Sequence, residues 1–324
     1  MRDTADGPLR RVLREAGGPG ILDRLVALPG ADLTTLLLAA VRRRAARLEP
    51  ADVLRRYRTD RFVAPATVDF HRLRRVEGAV LAALPAGFEA VTLAPVAPLG
   101  THSVLSTVDQ NKVVSTLRGS EVAADPTNGL ALEAAVRRRA DPAATARLFA
   151  IQRVLRAQRF PGAAGAAHFT LAALATAGRD TGGYAFARQH LAEHLGVLLD
   201  AVRRACGGAA RIALTVLDRA YVPVLDDLAG AGLPVEQDPA REAGRGYYTG
   251  LCFKLYAEQA GQWVEVADGG LVGWTAALLA DRKERLLISG LGVDRLATFP
   301  GAAVDARASR STMGDSEPRT EAEP

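Results

Sequence analysis

The chain has 324 residues, of which 48% are hydrophobic and 24% charged, and its formal net charge is +5. This length suits one large domain with a small appendage, and the composition is that of a globular protein. The two cysteines, Cys206 and Cys252, provide neither a disulfide framework nor a metal-ligand spacing. The arginines are scattered among acidic residues, which is typical of a GC-rich genome rather than of a nucleic-acid surface.

The start of the chain has no apolar signal core, and no run of about 18 apolar residues occurs. We therefore expect a soluble, cytoplasmic protein without a membrane segment. His190 and His194 are spaced i, i+4 on a predicted helix, but no third ligand is evident, so no metal site is predicted.

Residues 1–65 are predicted to form a small helical appendage. Asp32 is a candidate cap for a helix with an apolar face, and Pro50, which follows Glu49, marks a second helix start. A long amphipathic helix is predicted over 67–84, and a strand over 88–93.

In the rest of the chain, predicted strands and helices follow one another without regular alternation. Strands are predicted at 113–117, 122–124, 148–151, 169–174, 212–217, 247–256, 263–266 and 286–290, and helices at 129–139, 184–204, 222–228, 274–279 and 293–296. This order favours an α+β domain over 66–308, built on a largely antiparallel sheet flanked by helices. The polar, acidic stretch 309–324 is predicted to be disordered.

Three segments resemble, in chain order, the motifs of the class II aminoacyl-tRNA synthetase catalytic core. The first is the helix and strand of Thr67–Pro95, which resembles motif 1. In the family this motif builds a two-fold dimer interface, so the resemblance implies a homodimer.

The second segment contains Leu155-Arg156-Ala157-Gln158, which is similar to the Phe-Arg-x-Glu of motif 2. The resemblance implies that Arg156 stabilises negative charge on the α-phosphate of ATP. It also implies that Gln158 hydrogen-bonds adenine and that Phe169 stacks on it. A core position in a strand is the alternative for Phe169.

The third segment, Ser289-Gly290-Leu291-Gly292-Val293-Asp294-Arg295-Leu296, resembles motif 3. Gly290 and Gly292 would let a nucleotide approach the backbone, and Arg295 would contact the γ-phosphate. ATP, with Mg²⁺, is thus the expected cofactor. The alternative is a glycine-rich turn from strand to helix without a ligand.

The segment Gly244–Phe253 is similar to the Arg-Gly-Leu-Asp-Tyr-Tyr-Thr-Gly motif of the histidyl type. Tyr247 and Tyr248 match that family's paired tyrosines, which implies substrate contacts for both. Asp125 and Thr127 lie where the family carries the arginine and glutamate of its amino-acid pocket. Asp125 is therefore predicted to hold a substrate amine, and the alternative is that it caps a helix.

Several residues depart from the histidyl pattern. Ala243 replaces the family's catalytic arginine, and Arg241 and Arg245 are each offset from it by two residues. Arg245 is the candidate to take over that role. The predicted loop at Pro161–Ala167 carries no charge, whereas phosphate contact with transfer RNA calls for Lys or Arg.

Two functions fit these residues, besides a third reading in which an unrelated α+β protein matches the motifs by coincidence. The first is an ATP-dependent ligase that adenylates a small amino or carboxylic acid and passes it to an acceptor other than full transfer RNA. We expect no anticodon-binding domain in the residues after Arg295. The second is a non-catalytic regulatory subunit resembling that of ATP phosphoribosyltransferase, with a protein partner. Ala243 and Gln158 favour the regulator, while Arg156, Arg295 and the altered pocket at Asp125 favour the ligase.

Overall fold

The computed structural model describes residues 6–158 and 167–300, which divide into two compact units. Of the described residues, the first unit takes 6–67, 94–128, 153–158 and 167–169, and the second takes 68–93, 129–152 and 170–300. The predicted tail at 309–324 and most of the predicted loop at Pro161–Ala167 lie outside the described residues.

The helices in chain order are α1 (Asp6–Glu15), α2 (Gly20–Ala27), α3 (Gly30–Ala45), α4 (Pro50–Thr59), α5 (Phe70–Ala82), α6 (Pro126–Ala140), α7 (Ala185–Cys206), α8 (Val222–Gly230), α9 (Trp274–Leu279) and α10 (Val293–Leu296). The strands are β1 (Glu89–Ala90), β2 (Val96–Pro98), β3 (Ser120–Val122), β4 (Ala146–Leu155), β5 (His168–Arg179), β6 (Ala210–Val216), β7 (Val235–Gln237), β8 (Thr249–Gln259), β9 (Gln262–Val272) and β10 (Glu284–Gly292).

The predicted N-terminal helices are present as α1–α4. Helix α4 begins as expected, because Glu49 and Asp52 form a reciprocal capping box around Pro50 in the first turn. The prediction for α3 was wrong at its start: Pro29 occupies the cap position, so Asp32 lies inside the first turn. Helices α2, α3 and α4 contain no buried residue.

Strands β2 and β3 form a short antiparallel pair in the first unit. The strand predicted at 113–117 is wrong, since Gln110–Lys112 is a 3₁₀ turn and Ser115 makes only an isolated bridge with Glu121. The physical reason is a polar cap: the Asp109 side chain accepts from the Asn111 N–H at 2.8 Å and starts the 3₁₀ turn, and the buried Glu121 carboxylate binds the Gln110 side chain at 2.8 Å.

The second unit is built on an eight-stranded sheet with the order β1-β4-β5-β10-β9-β8-β6-β7. The central pairings β5–β10, β10–β9, β9–β8 and β8–β6 are antiparallel, and the edge pairings β1–β4 and β6–β7 are parallel. The predicted α+β class is confirmed. The class could be predicted because the apolar residues of helix α7 and of strands β6 and β10 follow the period of their element.

Helix α7 covers one face of this sheet. Its buried residues, among them Leu195 and Leu198, form one apolar core with Leu73 and Val76 of α5 and with strand residues such as Phe253 and Leu287. His194 on this helix bonds the hydroxyls of Thr176 on β5 at 2.9 Å and Ser289 on β10 at 2.7 Å. Burial lowers the pKa of His194 to about 3, so a neutral ring ties the helix to the sheet.

Some element boundaries differ from the predicted ones, and at the starts of two helices a polar side chain fixes the boundary. Helix α5 begins after Asp69, which accepts from the Arg72 N–H, rather than at Thr67. Helix α6 begins at Pro126 instead of Gly129, and β1 ends at Ala90 instead of reaching Leu93. None of the helices within the described residues is long and apolar enough to span a membrane.

Candidate functional site

In the first unit, Arg156 lies directly after β4 and is held by neighbouring residues. Its Nε donates to the Ala124 carbonyl at 2.8 Å and its Nη2 to the Asp125 carboxylate at 3.0 Å. The guanidinium carbon lies 5.2 Å from the centroid of the Phe169 ring. The structure thus brings together Arg156, Asp125 and Phe169, while Gln158 is exposed in the bend that follows.

Both oxygens of Asp125 already have partners. Oδ2 accepts from Arg156, and Oδ1 accepts from the backbone N–H of Thr127 at 2.9 Å and from its hydroxyl at 2.7 Å. This is the geometry of a residue that starts a helix, here α6. The ion pair also neutralises part of the Arg156 charge that a phosphate would meet.

In the second unit, the sheet face away from α7 carries a row of directly paired residues. Ala173 of β5 pairs with Gly290 of β10, which pairs with Asp268 of β9, which pairs with Lys254 of β8. Side chains alternate along a strand, so these residues lie on the face opposite Ser289. The small residues leave space beside Asp268: a Cβ on Gly290 would meet only the Asp268 carbonyl oxygen, at 4.0 Å.

A β-bulge places a second carboxylate on that face. The β8–β9 register pairs Leu255 with Ala267 but Tyr256 with Glu265, which leaves Val266 without a partner. Glu265 and Asp268 consequently share a face although they are three residues apart. Lys254 bonds Glu265 at 2.7 Å.

Asp268 is the centre of a polar cluster. Its Oδ1 accepts from the Tyr248 hydroxyl at 2.6 Å, and its Oδ2 accepts from Nη2 of Arg241 at 2.9 Å. Arg241 also donates from Nε to the Ala243 carbonyl at 2.8 Å. Desolvation by burial raises the pKa of Asp268, against the opposing effects of Tyr248 and Arg241.

The two arginines that flank Ala243 have different positions. Arg241 is buried against Asp268, whereas Arg245 donates from Nε to the Arg241 carbonyl at 3.1 Å. Arg241, rather than Arg245, makes the charged contact with Asp268. It is therefore an alternative candidate for the role predicted for Arg245. Gly244, at φ +88°, keeps the loop close to the Tyr248 ring.

The glycine pair after Asp268 allows close packing over β9. A Cβ on Gly269 would lie 2.5 Å from the Ile288 carbonyl oxygen, and a Cβ on Gly270 would lie 2.8 Å from the Tyr248 ring. Tyr247 packs edge-on against Tyr248 and Trp274. Both predicted tyrosines thus lie next to the Asp268 cluster.

Arg295, on α10, is exposed and donates from Nη1 to the Glu265 carbonyl at 2.5 Å. Asp294 fixes the start of the same helix by accepting from the Thr170 N–H at 2.8 Å. The turn at Gly292 is tight, since a Cβ there would lie 3.3 Å from the Cβ of Arg295. The predicted strand-to-helix turn is confirmed, and its nucleotide role stays a prediction.

Sequence reasoning missed Asp268, Lys254 and Glu265. No motif marks them, and the bulge at Val266 breaks the alternation that would have grouped the two acids. The one available signal was the position of Asp268 next to the Gly-Gly pair.

Solved structures with a similar fold include three of the histidyl type. Apo histidyl-tRNA synthetase of S. aureus matches with a TM-score of 0.57 and 14% identity, over 73% of this chain and 68% of that one. An ATP phosphoribosyltransferase regulatory subunit/histidyl-tRNA synthetase from Bacillus halodurans matches with 0.56 and 15%, over 73% and 81%. A histidine–tRNA ligase subunit from Alicyclobacillus acidocaldarius matches with 0.56 and 18%, over 72% and 94%.

No family profile matches the sequence, and neither does any curated protein sequence. The chain has the fold of the class II aminoacyl-tRNA synthetase catalytic core, which confirms the predicted resemblance. Within that class, the similar structures include both the histidyl enzyme and the regulatory-subunit type. At these identities the likeness is one of fold.

Proposed function

We propose that this chain is an ATP-dependent ligase that activates a small carboxylic acid as its acyl-adenylate. Two arginines, each within its own unit, support the proposal: Arg156 directly after β4 and Arg295 on α10, in segments that resemble motifs 2 and 3. Adenylate chemistry concentrates negative charge on phosphates, and a fixed guanidinium is the side chain best suited to stabilise it.

The reaction has two balanced steps. A carboxylate oxygen of the acid attacks the α-phosphorus of ATP, the bond to the bridging oxygen breaks, and pyrophosphate leaves. A nucleophile of the acceptor then attacks the acyl carbon, loses its proton to solvent, and AMP leaves. The proposed acceptor is not a full transfer RNA, because the predicted motif 2 loop at Pro161–Ala167 has no basic residue.

Mg²⁺ is expected to arrive on the phosphates of ATP. Among the described residues, no group of three or more His, Cys, Asp or Glu side chains is placed to hold a metal ion. Protein sites for Mg²⁺ commonly supply one or two carboxylates and leave the rest to substrate phosphates and water. Glu265 and Asp268 share one sheet face, but each is already paired with a base, Lys254 and Arg241, so the phosphates and water would supply the ligands of the ion.

A regulatory subunit is the second candidate function, and specific contacts favour it. Arg156 is paired with Asp125, and Arg295 already donates to a backbone carbonyl. Ala243 supplies no charge where the histidyl family has its arginine. A binding protein would tolerate all three features, and it would act through a protein partner. Dimerisation through Thr67–Pro95 is expected for either function, and light scattering would measure it.

Binding of ATP by the full chain should weaken about tenfold or more in Arg295→Ala, since hydrogen bonds to charged groups contribute about 1.5–3 kcal/mol. Calorimetry on the wild type and the variant provides the measurement. Arg282→Ala, which removes an exposed arginine from the turn before β10, is the matched control and should bind as the wild type does. Absence of ATP binding by the wild type would eliminate the ligase.

Exchange of pyrophosphate into ATP separates the two candidates. For the ligase we expect exchange that depends on an added acid from a panel of amino and carboxylic acids, and a loss of at least a hundredfold in Arg156→Ala, because the α-phosphate charge would be unsupported. The regulator would bind a small ligand, detected as a melting shift, yet catalyse no exchange with any acid. Appreciable charging of total transfer RNA would contradict the proposed acceptor class.

A further inference from the structure

The turn that follows α4 is bound to the chain at the end of β4 and at the start of β5, next to Arg156. Arg61 donates from Nη2 to the carbonyl of Ala157, the residue after Arg156. Its own carbonyl accepts from the N–H of Ala167, the residue before β5, at 3.3 Å. A single residue of the N-terminal region therefore holds the chain where β4 ends and where β5 begins.

A second contact is made three residues further along the turn. The ring of His168 bonds the Ala64 carbonyl through Nε2 at 2.7 Å, and its Nδ1 accepts from Nε of Arg153 at 2.8 Å. A carbonyl oxygen can only accept and a guanidinium can only donate, so these two partners assign the hydrogen of the neutral ring to Nε2. His168 directly precedes Phe169, so the turn also holds the backbone that carries the Phe169 ring.

Asp60 gives this turn a defined shape. Its carboxylate accepts from the Phe62 N–H at 3.0 Å, and its carbonyl accepts from the Ala64 N–H at 3.2 Å. A side chain that bonds the backbone two residues ahead is a common way to fix a turn. The guanidinium carbon of Arg61 lies 4.4 Å from the centroid of the Phe62 ring, which orients the side chain. Residues 60–64 are thus a fixed turn, called the strap below.

The same contacts support the backbone of Arg156 and Phe169. Arg156 donates its N–H to the Ala167 carbonyl at 2.8 Å, so the residue that binds the strap also binds Arg156. Arg156 and Phe169 are two of the side chains that the resemblance to motif 2 implies for ATP. A guanidinium stabilises phosphate charge only when it is already in place, and a displacement of about 1 Å is enough to lose a large factor in rate.

We propose that Arg61 and His168 are positioning residues for the nucleotide and that the strap ties the N-terminal region to the ATP site. Neither residue touches ATP; Arg61 acts through Arg156, and His168 acts through Phe169. The inference rests on the proposed function, because it concerns the contact of Arg156 with ATP. All the contacts that carry it lie within the first unit.

The first test is ATP binding by the full chain, measured by calorimetry. Arg61→Ala is expected to weaken it about tenfold, the effect of one lost charge-assisted hydrogen bond. Arg58→Ala removes an exposed arginine from the last turn of α4, so it is the matched control and should bind as the wild type does. His168→Ala should also weaken binding, whereas His168→Gln should keep most of it, because the amide can still donate to the Ala64 carbonyl.

A double-mutant cycle separates positioning from a merely structural role. If Arg61 acts through Arg156, adding Arg61→Ala to Arg156→Ala should change the affinity for ATP by less than about twofold, whereas independent effects would multiply. A tenfold loss in both backgrounds overturns the inference. It is equally overturned if Arg61→Ala binds ATP as the wild type does, or if Arg58→Ala loses as much as Arg61→Ala.

Amide hydrogen exchange without nucleotide distinguishes failure of this inference from failure of the proposed function. The Arg156 N–H should exchange about tenfold faster in Arg61→Ala than in the wild type, because the ends of β4 and β5 would open more often. Wild-type ATP binding that Arg61→Ala leaves unchanged overturns the inference and leaves the ligase standing. If the wild type binds no ATP, the ligase is removed; faster exchange in Arg61→Ala would then still show that the strap holds Arg156, and unchanged exchange would remove that as well.

Discussion

Glu284→Gln is expected to lower the free energy of unfolding by about 3–5 kcal/mol, the usual cost of removing one partner from a buried ion pair. Glu284, on β10, binds Nε of Arg138 at 2.9 Å and Nη2 at 2.7 Å. Both side chains are almost fully buried, at 1% and 3% exposure. The variant would leave a buried guanidinium without its counter-charge. Denaturant unfolding, with the m-value checked for constancy, measures the loss.

Arg137, which precedes Arg138 on α6, provides the matched control. Arg137 pairs with Glu89 on the surface, where screening and side-chain entropy leave ion pairs little net effect. Arg137→Ala should therefore cost a small fraction of the Glu284→Gln effect. The double change Arg138→Met with Glu284→Leu should recover most of the stability, because neither charge remains buried. Equal losses in the single variants would show that burial of the pair is not the cause.

Glu121→Ala should destabilise the chain by about 3 kcal/mol or more, since several buried donors would lose their acceptor together. The Glu121 carboxylate accepts from the backbone N–H groups of Gly100 and His102, at 3.0 and 2.8 Å, and from the side chains of His102 and Gln110. His102 accepts the Ala124 N–H on Nε2, so its Nδ1 carries the hydrogen that Glu121 receives.

A second variant, Glu121→Gln, should lose less stability in acid than at neutral pH. Burial alone would raise the pKa of Glu121, but the hydrogen bonds from His102, Gln110 and Gly100 outweigh it and lower the pKa to about 2. A carboxyl group with a lowered pKa stabilises the fold above its ordinary value of 4.5, and this contribution is lost as the pH falls towards 2. The stability gap between wild type and Glu121→Gln should therefore shrink between pH 4.5 and 2.

Gln237→Ala, at an exposed position on β7, changes no ionisable group, so it is the control and should show a constant gap over the same range. A gap for Glu121→Gln that stayed constant in acid would mean that the carboxylate is not ionised in the folded chain.

The bounds of an element could be predicted from the sequence where its buried residues recur with a regular period. Helix α7 and strand β6 were predicted within two residues at each end because their apolar residues follow one period. The strand prediction around Val113 was wrong because side-chain contacts, including the one between Gln110 and Glu121, stabilise a turn there. Such long-range polar contacts leave no local periodicity.

The candidate site was only partly predictable for a related reason. Arg156, Arg295 and Tyr248 lie in segments that resemble family motifs and could be named in advance. The sheet face on which Asp268 lies depends on strand register, and the extra residue Val266 shifts that register relative to Glu265. The choice between Arg241 and Arg245 likewise depends on a loop whose course is fixed by glycines at positive φ, Gly244 and Gly246.

The place of β10 in the sheet has a consequence for biosynthesis. Among the described residues it is the last strand to leave the ribosome, yet it lies between β5 and β9 and pairs with both. Until it emerges, the sheet consists of two separate pieces, each with an open apolar edge. Folding during translation must therefore wait for nearly the whole second unit, and the nascent chain is most exposed to aggregation and most dependent on chaperones in that interval.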